Sequence, residues 1–515
     1  MELLQWLISY WNILVPLLVT YGVCLAFYRL FFHPLARFPG PKLAAVTRWY
    51  EAYYDVVEYG QYTFKIAEMH KKYGPIVRIS PFELHVSDPA FHEVLYRQEG
   101  IWNKYPWAID AFTAKGSTIW AADHALHKAR RQPLSPFFSK AKVASRQDML
   151  QRHLRKLLFQ ISKFSGQQNA INLGAAVNAF TRDVANEFIL EKDYNSLGKE
   201  DFDASVSLPN QESGHIWRIT KHVRWFGPFL RSIPPGVILT IADKGTKSFY
   251  KMILEHLEDT KNLMLAASSS ERSDKPPETI VHAIMASKLP PQEKELIRVF
   301  EDLSSVTAAG ITTTATALLL ILVNVFSNAD MLERLRAELT SLGPTNIAST
   351  DVARINFPEL KSLEQLPFLT AVLMEGLRLS PAVSSRLARI APDRDLYYGS
   401  WTIPAGTPVG MTPLLMHTDE TLYLNPHKFD PDRWMDPDKR GRFEKFYAPF
   451  SKGARNCVGM HLAWAEMYLI VAVLALRYDF RMEAKVEDFV CSSDQFAIGT
   501  NSRGFLKTSV TARHG

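Results

Sequence analysis

The chain has 515 residues, 47% of them hydrophobic, and a formal net charge of +6. Its length and apolar content allow a large core, and length alone suggests about three domains. The charge is too small and too dispersed to indicate nucleic-acid binding. Three cysteines, Cys24, Cys457 and Cys491, exclude a disulfide framework, and no Asn-x-Ser/Thr sequon is present. Both features favour a catalytic domain that faces the cytosol.

The N-terminal segment 3–28 contains no Lys, Arg, Asp or Glu. A bilayer core of about 30 Å requires about 20 such residues, so the pattern predicts a transmembrane anchor. Basic residues follow the segment at Arg29, Arg37, Lys42 and Arg48. Since only Glu2 precedes it, the positive-inside rule places the rest of the chain in the cytosol. A cleaved signal peptide would need a basic start and a shorter apolar core. A buried helix of a soluble domain is the alternative.

Residues 29–48 are predicted to form a basic, proline-rich hinge, and short strands are expected farther along the chain. Residues 76–80 and 83–87 predict one hairpin, and residues 397–403 and 407–411 predict a second around Pro404-Ala405-Gly406. The polar stretch 266–294 fits a surface loop within one domain as well as a domain boundary. The other long segments have helical periodicity, which indicates a mainly α protein with some β-structure.

Residues 296–327 lack proline and predict one helix of about 48 Å. Its middle reads Ala309-Gly310-Ile311-Thr312-Thr313-Thr314. Gly310 weakens the helix there, and threonine hydroxyls can bond back to carbonyls and bend it. A local opening lined by hydroxyls suits an O₂ pocket with a water relay. The alternative is that these small residues serve only helix packing.

The decamer at 450–459 reads FSKGARNCVG and is followed by an apolar, helix-period run, 460–478. Cys457 therefore lies at a helix N-terminus, where the helix dipole favours a thiolate. Gly453 permits a tight turn, and Gly459 lets a flat group approach the backbone. A thiolate ligand to haem iron donates electron density that favours O–O cleavage. A buried structural cysteine is the alternative.

The decamer resembles the haem-binding signature of the cytochromes P450, F-x-x-G-x-R-x-C-x-G, at all five specified positions. The resemblance implies the P450 fold, mainly α with small β-sheets, behind the N-terminal transmembrane helix. It further implies one catalytic domain over residues 49–515. Haem b would bind with Cys457 as the axial iron ligand, and Phe450 and Gly459 would belong to its binding loop. The amino-acid sequences of segments 31–35 and 78–81 are similar to those of fungal microsomal P450s of secondary metabolism.

The segment around Gly310 resembles the A-G-x-[DE]-T-T stretch of the family's distal helix. The resemblance places Thr313 on the conserved threonine and Gly310 on the conserved glycine. The chain departs from the pattern at Thr312, which occupies the position of the acid. Proton delivery is therefore expected to use waters and hydroxyl groups, or the reaction needs less of it.

Further resemblances concern arginines that support the haem. Glu375 and Arg378 fit the E-x-x-R pair, and Arg433 fits the arginine of the F-x-P-x-R-[FW] element. These three would form a buried structural network that holds the cysteine loop. The residues expected to meet the haem propionates are Arg455, Arg389, Arg131 and His127, where His127 replaces the family's tryptophan.

The resulting expectation is a membrane-anchored monooxygenase of the endoplasmic reticulum, single-pass, with a cytosolic catalytic domain. Its substrate would be a lipophilic secondary-metabolite intermediate, a terpenoid or polyketide scaffold. Residues 105–112, 306–313, 382–384 and 496–500 would line the pocket. Electrons would come from NADPH-cytochrome P450 reductase, with cytochrome b5 as an optional second donor. Two alternatives remain: a haem-thiolate isomerase, dehydratase or peroxide-dependent enzyme, suggested by Thr312, and a non-catalytic haem-binding or sensor protein.

Overall fold

The computed structural model describes residues 2–167, 170–269, 279–343, 346–347, 349 and 351–513. Part of the polar stretch 266–294, residues 270–278, lies outside the described residues. The described remainder of that stretch contains the end of one helix and the whole of the next. The stretch therefore connects helices, as a loop within a larger helical unit does.

Helices dominate the molecule, as the sequence predicts. In the first half they are α1 (Glu2–Phe27), α2 (Lys42–Val46), α3 (Trp49–Ala52), α4 (Tyr62–Tyr73), α5 (His92–Leu95), α6 (Pro106–Ile109), α7 (His124–Arg131), α8 (Lys140–Ser145), α9 (Gln147–Ser162), α10 (Leu173–Leu190), α11 (Ala204–His222) and α12 (Phe226–Ser232). In the second half they are α13 (Pro235–Ile241), α14 (Lys244–Ser269), α15 (Ile280–Ala286), α16 (Leu296–Phe326), α17 (Ala329–Thr340), α18 (Leu360–Leu363), α19 (Pro367–Leu379), α20 (Pro413–His417), α21 (Pro437–Glu444) and α22 (Met460–Arg477). Short 3₁₀ and π-helical turns connect them.

Helix α16 forms the centre of the fold and confirms the prediction of one long helix, with 31 residues. Its second half, from Ala315 to Phe326, is apolar on nearly every side and buried, as expected of a helix surrounded by protein. Helices α10, α14, α19 and α22 pack around it. Gly376 of α19 makes one of these contacts possible, because a Cβ there would lie 2.1 Å from Cγ1 of Ile321. The close approach positions the charged residues on either side of Gly376.

The strands form small sheets at the edge of the helical body. They are β1 (Ile76–Ser80), β2 (Glu83–Val86), β3 (Asn103–Lys104), β4 (Ile171–Asn172), β5 (Arg389–Ile390), β6 (Leu396–Tyr398), β7 (Trp401–Ile403), β8 (Val409–Gly410), β9 (Tyr478–Met482), β10 (Cys491–Gln495), β11 (Ala497–Thr500) and β12 (Lys507–Ala512). The largest sheet has the order β1-β2-β8-β5-β3, and a second has the order β4-β12-β9. The pairs β10-β11 and β6-β7 stand alone.

The first predicted hairpin is confirmed, since β1 pairs with β2 in antiparallel register. The second prediction is wrong. Strand β6 pairs with β7, so the hairpin spans 396–403 and turns at Gly399, whose φ is +54°. Gly406 also has a positive φ, +79°. Its turn instead leads to β8, which runs parallel to β2 in the largest sheet. Two glycine turns lie close together here, and only the first closes a hairpin.

Three described helices are long and apolar enough to cross a membrane, Trp11–Phe32, Leu296–Phe326 and Met460–Arg477. The second and third are core helices, with 61% and 72% of their apolar windows buried. The first is entirely unburied, with a mean hydropathy of 1.9. It is therefore the candidate anchor.

Segment 29–48, which the sequence predicts to be a hinge, follows this helix and is hydrogen-bonded to β1 of the largest sheet. Arg78 of β1 donates from Nη1 to the carbonyl of Arg29 at 2.8 Å and from its backbone N–H to Pro39 at 2.7 Å. A Cβ at Gly40 would lie 2.4 Å from the Arg78 carbonyl oxygen. The glycine thus lets the hinge pass directly over β1.

Candidate functional site

The loop before α22 is a rigid turn that presents Cys457. Gly453 has φ +74°, and a Cβ there would lie 2.5 Å and 2.6 Å from the carbonyl oxygens of Arg97 and Tyr96. Only glycine fits this position. The Cys457 N–H donates to the Phe450 carbonyl at 2.9 Å and closes the loop.

The sulfur of Cys457 lies deep in the protein but is not covered by other side chains. Burial raises the pKa of the Cys457 thiol, whereas N–H groups of Gly459 and Met460 and the charge of Arg131 lower that pKa. These donors favour the thiolate form, which is the form that binds metals. A Cβ at Gly459 would touch nothing within 4 Å. Uncovered sulfur beside unobstructed glycine argues against a purely structural cysteine.

A cluster of cations lies near this loop and includes three predicted residues, Arg131, Arg389 and Arg455, together with Lys104. Arg131 donates to Oδ1 of Asn456 at 2.8 Å, beside Cys457. Arg455 donates to the Ala121 carbonyl at 2.6 Å and to neighbouring carbonyls. None of these four cations forms a salt bridge with an acidic side chain of the described residues. The charge of Asp123 acts on Arg455 in the stabilising sense, but no ion pair neutralises the cluster among the described residues.

The pKa values of Arg455 and Lys104 reflect burial and the repulsion between the positive charges of the cluster. Burial and the charges of Arg389 and Arg131 lower the pKa of Arg455 to about 9. Burial and the charges of Arg389, Arg455 and Arg131 hold the pKa of Lys104 well below its usual range. Lys104 also stands directly opposite Arg389 in the β3–β5 pair. Like charges opposite each other destabilise a sheet unless an anion lies between them.

His127 of α7 is buried beside the same cluster, as the sequence comparison with the family motif suggests. Burial and the charges of Arg455, Lys104 and Arg131 lower its pKa to about 2. The imidazole is consequently neutral at physiological pH. A neutral imidazole offers one N–H donor, and it adds no further positive charge to the cluster.

The predicted structural network is present behind the cysteine loop. Glu375 accepts from Arg378 at 2.8 Å and from Arg433 at 3.2 Å, and all three are buried. Trp434 adds a donor to the same carboxylate at 3.0 Å. Arg378 also donates to the carbonyl of His417 at 2.6 Å. The network lies among protein groups, which suits a role in folding.

His417 connects that network to the loop. Its Nδ1 lies 3.1 Å from the Arg378 carbonyl, and its Nε2 accepts from the backbone N–H of Ala448 at 2.9 Å. Ala448 precedes Phe450 by two residues. Both ring nitrogens are therefore engaged, and burial with the charge of Arg378 lowers the pKa of His417 to about 3.

A cavity of about 660 Å³ lies beside the middle of α16. All four predicted wall segments contribute to it, represented by Phe112, Thr313, Val383 and Phe496 among others. The rings of Phe112 and Trp120 are stacked with their centroids 3.8 Å apart. The cavity therefore has a flat, aromatic wall. The sequence predicted Phe112 in this wall but did not predict Trp120.

Thr312 and Thr313 line this cavity. The Thr313 hydroxyl donates to the Ala309 carbonyl at 2.7 Å, which leaves its oxygen lone pairs available to accept. Gly310 is not part of the described cavity wall. A Cβ there would point towards α10, 3.5 Å from the Cβ of Ala185. A methyl group at this position would make an ordinary van der Waals contact, and the predicted opening at Gly310 faces α10.

Other cavity residues were not anticipated from the sequence. They come from helix α14 and from the loop after β11, and comprise Phe249, Met252, Ile253, His256, Asn501, Ser502, Arg503 and Gly504. The apolar residues from α14 recur at helical spacing, and the same spacing is typical of a helix that faces the protein core. Lys104 was missed for a different reason, since only strand pairing brings it to Arg389.

Two buried and two partly buried cations form no salt bridge with the described acidic side chains, and this arrangement suits an anion. A cysteine sulfur with open approach on one side suits a metal. Haem meets both requirements through its two propionates and its iron, so this is a site of the haem-thiolate class. A model of the family named cytochrome P450 matches residues 50–506. The chain belongs to the cytochrome P450 family, and it is a haem-thiolate monooxygenase, as its relatives are.

Two relatives illustrate the similarity. Cytochrome P450 monooxygenase MO6277 of Ascocoryne sarcoides is 35% identical over 481 residues, covering 91% of this chain and 92% of the relative. Tryptophan 6-hydroxylase fscE of Fusarium equiseti is 36% identical over 477 residues, covering 92% and 91%. The solved structure of a retinoic-acid-bound cyanobacterial CYP120A1 has a TM-score of 0.64 at 18% identity, covering 87% of this chain and 94% of that one. The fold is therefore the P450 fold.

Proposed function

We propose that this protein is a membrane-anchored P450 that inserts oxygen into a lipophilic secondary-metabolite intermediate. The observation that carries the proposal is the aromatic cavity beside Thr313, formed by segments distant in the chain. A cavity of this size and lining suits a lipophilic ring system. Terpenoid and polyketide scaffolds are the proposed substrate classes.

The proposed cofactor is haem b, with the Cys457 sulfur as axial ligand and Phe450 and Gly459 in the binding loop. When bound, it supplies the cleavage of O₂ and the transfer of one oxygen atom. Arg131, Arg389 and Arg455, with His127 as a neutral donor, are proposed to hold its propionates. Lys104 joins them on the basis of its position opposite Arg389.

The proposed catalytic residues are Thr313 and Thr312. Because the Thr313 hydrogen is used by Ala309, its oxygen is positioned to accept from a water in the cavity. That water would then carry a proton towards the reacting atoms. Thr312 offers a hydroxyl in place of a carboxylate at the same wall. Gly310 is proposed to belong to the same catalytic stretch of α16, by resemblance to the family's distal helix.

The proposed domain organisation is a transmembrane anchor at 3–28, a hinge at 29–48 and a catalytic domain at 49–515. The unburied helix Trp11–Phe32 supports the anchor, and the basic residues after it favour a cytosolic catalytic domain. The proposed location is the membrane of the endoplasmic reticulum.

Electrons are proposed to come from NADPH-cytochrome P450 reductase, with cytochrome b5 as an optional second donor. Exposed Lys128, Lys439, Arg442 and Lys445 provide positive charge for steering an acidic partner. Arg130, two residues after Lys128, is buried and paired with Glu293 at 2.6 Å. It therefore does not belong to the docking surface.

The test is expression of the full chain with a reductase in microsomes, followed by feeding of terpenoid, polyketide and indole scaffolds. We expect a product one oxygen atom heavier than its substrate, formed only with NADPH and O₂. A rearranged or dehydrated product that forms without either would replace this proposal with the isomerase-type alternative. Haem binding without turnover of any scaffold would favour a sensor.

A further inference from the structure

Three polar groups in the cavity wall have no hydrogen-bond partner among the described residues. They are Oγ of Ser304, Oγ1 of Thr307 and Nε2 of His256, and each atom is buried. All three residues line the same cavity as Thr313. Leaving such a group unsatisfied costs about 1–3 kcal/mol, so native proteins rarely do so without a reason.

The two hydroxyl groups behave differently from their neighbours on α16. Thr313 and Thr316 each donate to the carbonyl four residues earlier, at 2.7 Å and 2.8 Å. Ser304 and Thr307 make no such bond within the helix. Their spacing of three residues places them on one face of α16. Both hydroxyls are therefore unpaired and belong to residues that line the cavity, and a rotation of either side chain would turn its oxygen towards a bound molecule.

His256 lies on a second helix, α14, that lines the same cavity and packs against α16. Phe249, Met252, Ile253 and His256 line the cavity from α14, at helical spacings of three, four and seven residues from the first. The first three are apolar, so the imidazole is the polar end of an apolar stripe. Burial lowers the pKa of His256 to about 4. The ring is consequently neutral at pH 7 and adds no charge to the wall.

We propose that Ser304, Thr307 and His256 form a polar subsite that binds a neutral hydrogen-bonding group of the substrate, a hydroxyl or carbonyl remote from the oxidised carbon. This inference rests on the proposed function and narrows it. The substrate is then a lipophilic scaffold that already carries oxygen. Because the subsite fixes one end, it selects which carbon faces the reacting centre. The enzyme therefore acts after a reaction that has introduced a hydroxyl or carbonyl.

A neutral group fits this subsite better than an anion. Arg182, on the same cavity wall, already donates to Oγ of Ser196 and to the Phe202 carbonyl, both at 2.9 Å. Arg503 lines the cavity as well, but Ser304, Thr307 and the neutral imidazole themselves provide only uncharged donors and acceptors. Desolvating a carboxylate there would cost more than these bonds return.

The experiment uses the full-length haem-loaded protein and 1-alkylimidazoles of increasing chain length. Each length is made with a terminal methyl, a terminal hydroxyl or a terminal carboxylate. The imidazole binds the iron, so the other end probes the cavity at a defined reach. The dissociation constant is read from the spectral shift and needs neither reductase nor turnover. We expect the hydroxyl form to bind about five- to tenfold tighter than the methyl form at one chain length.

Variants separate the subsite from general polarity. Thr307→Val should abolish the hydroxyl preference and leave the affinity for the methyl series unchanged. Thr260→Val is the matched control, because its buried hydroxyl donates to the His256 carbonyl at 2.7 Å and does not line the cavity. This control should keep the preference. If Thr307→Val fails to bind haem, the relative affinities of the wild-type protein for the methyl, hydroxyl and carboxylate forms test the subsite by themselves.

Two results would overturn the subsite. Equal affinity for methyl and hydroxyl forms at every length would mean that water satisfies these groups. Tighter binding of the carboxylate form would mean an anion site. Either result, obtained on protein with a normal thiolate spectrum, leaves the monooxygenase proposal standing. Loss of that spectrum in the wild type would instead refute the proposed function.

Discussion

The two sides of this molecule treat their buried polar groups in opposite ways. Behind the cysteine loop, Glu375, Arg378 and His417 use their donors and acceptors on one another and on backbone groups. In the cavity, Ser304 and Thr307 leave theirs unused. The polar groups of the first region are satisfied within the protein, and they hold the Cys457 loop in place. In the second region, the proposed partner of the unpaired hydroxyl groups is a polar group of the substrate. One region thus keeps the cysteine loop rigid, and the other is proposed to select the substrate.

Cys457→Ala should produce the largest effect, on the loop side. The substitution removes the soft iron ligand. Reduced, CO-treated wild type should show the thiolate-type Soret shift, and the variant should lack it entirely. Cys491→Ala is the control, since Cys491 is buried away from the loop in β10. An unchanged spectrum in Cys457→Ala would end the haem-thiolate assignment.

Glu375→Ala should destabilise the same side strongly. It leaves Arg378 and Arg433 buried without their carboxylate, and breaking a buried pair costs about 3–5 kcal/mol. We expect a lower urea midpoint and a low haem content in the purified protein. Glu444→Ala, which breaks an exposed pair with Arg440, should cost less than about 1 kcal/mol. Equal losses in both variants would contradict the division between the two regions.

Thr313→Ala tests the cavity side and should change coupling while sparing the fold. A positioned proton donor is worth about 10²–10⁴-fold, so loss of its water should divert NADPH from product to peroxide. Product formed per NADPH and peroxide release measure this, with CO spectra to show normal haem binding. Thr316→Ala is the control, because it removes an equivalent back-bonded hydroxyl one turn away. Full product yield in Thr313→Ala would refute the relay.

The smallest predicted effect is a pH dependence that His417 confers on the loop side. Its pKa is about 3 in the folded protein and about 6.5 in an unfolded chain. Between these values the unfolded state binds the extra proton, so stability falls as pH decreases. From pH 7 to pH 5 the loss should be about 2 kcal/mol.

Urea midpoints at pH 7 and pH 5 measure this loss, with His417→Gln for comparison. The variant lacks the titrating group, so its stability should fall less between the two pH values. An equal fall in both proteins would show that His417 does not cause the acid sensitivity.

The sequence predicted the loop side well because its signals are local. Gly453 and Cys457 lie in one short motif, and Glu375 and Arg378 are one helical turn apart. Helical spacing predicts the Glu375–Arg378 pair, whereas the role of the loop and the addition of Arg433 were implied by the resemblance to the P450 motifs. Lys104 could not be predicted this way, because strand pairing with Arg389 brings together distant parts of the chain.

The cavity side was predicted in part, for an equally physical reason. The helix 296–327 and its threonines were identified, but Gly310 opens towards α10, since helix periodicity does not specify which neighbour occupies each face. His256 went unnoticed because the stripe before it, beginning at Phe249, resembles an ordinary core-facing surface. The second hairpin was misplaced because two neighbouring glycine turns carry the same sequence signal.

The cation cluster has a consequence for how much of this protein a cell accumulates. Lys104, Arg131, Arg389 and Arg455 repel one another within the folded chain, so the polypeptide by itself is less stable than the same chain with a dianion bound among them. A ligand that binds only the folded state raises its population by mass action. Haem supply should therefore limit the steady-state abundance of this protein. Haem-starved cells should degrade it faster at an unchanged rate of synthesis.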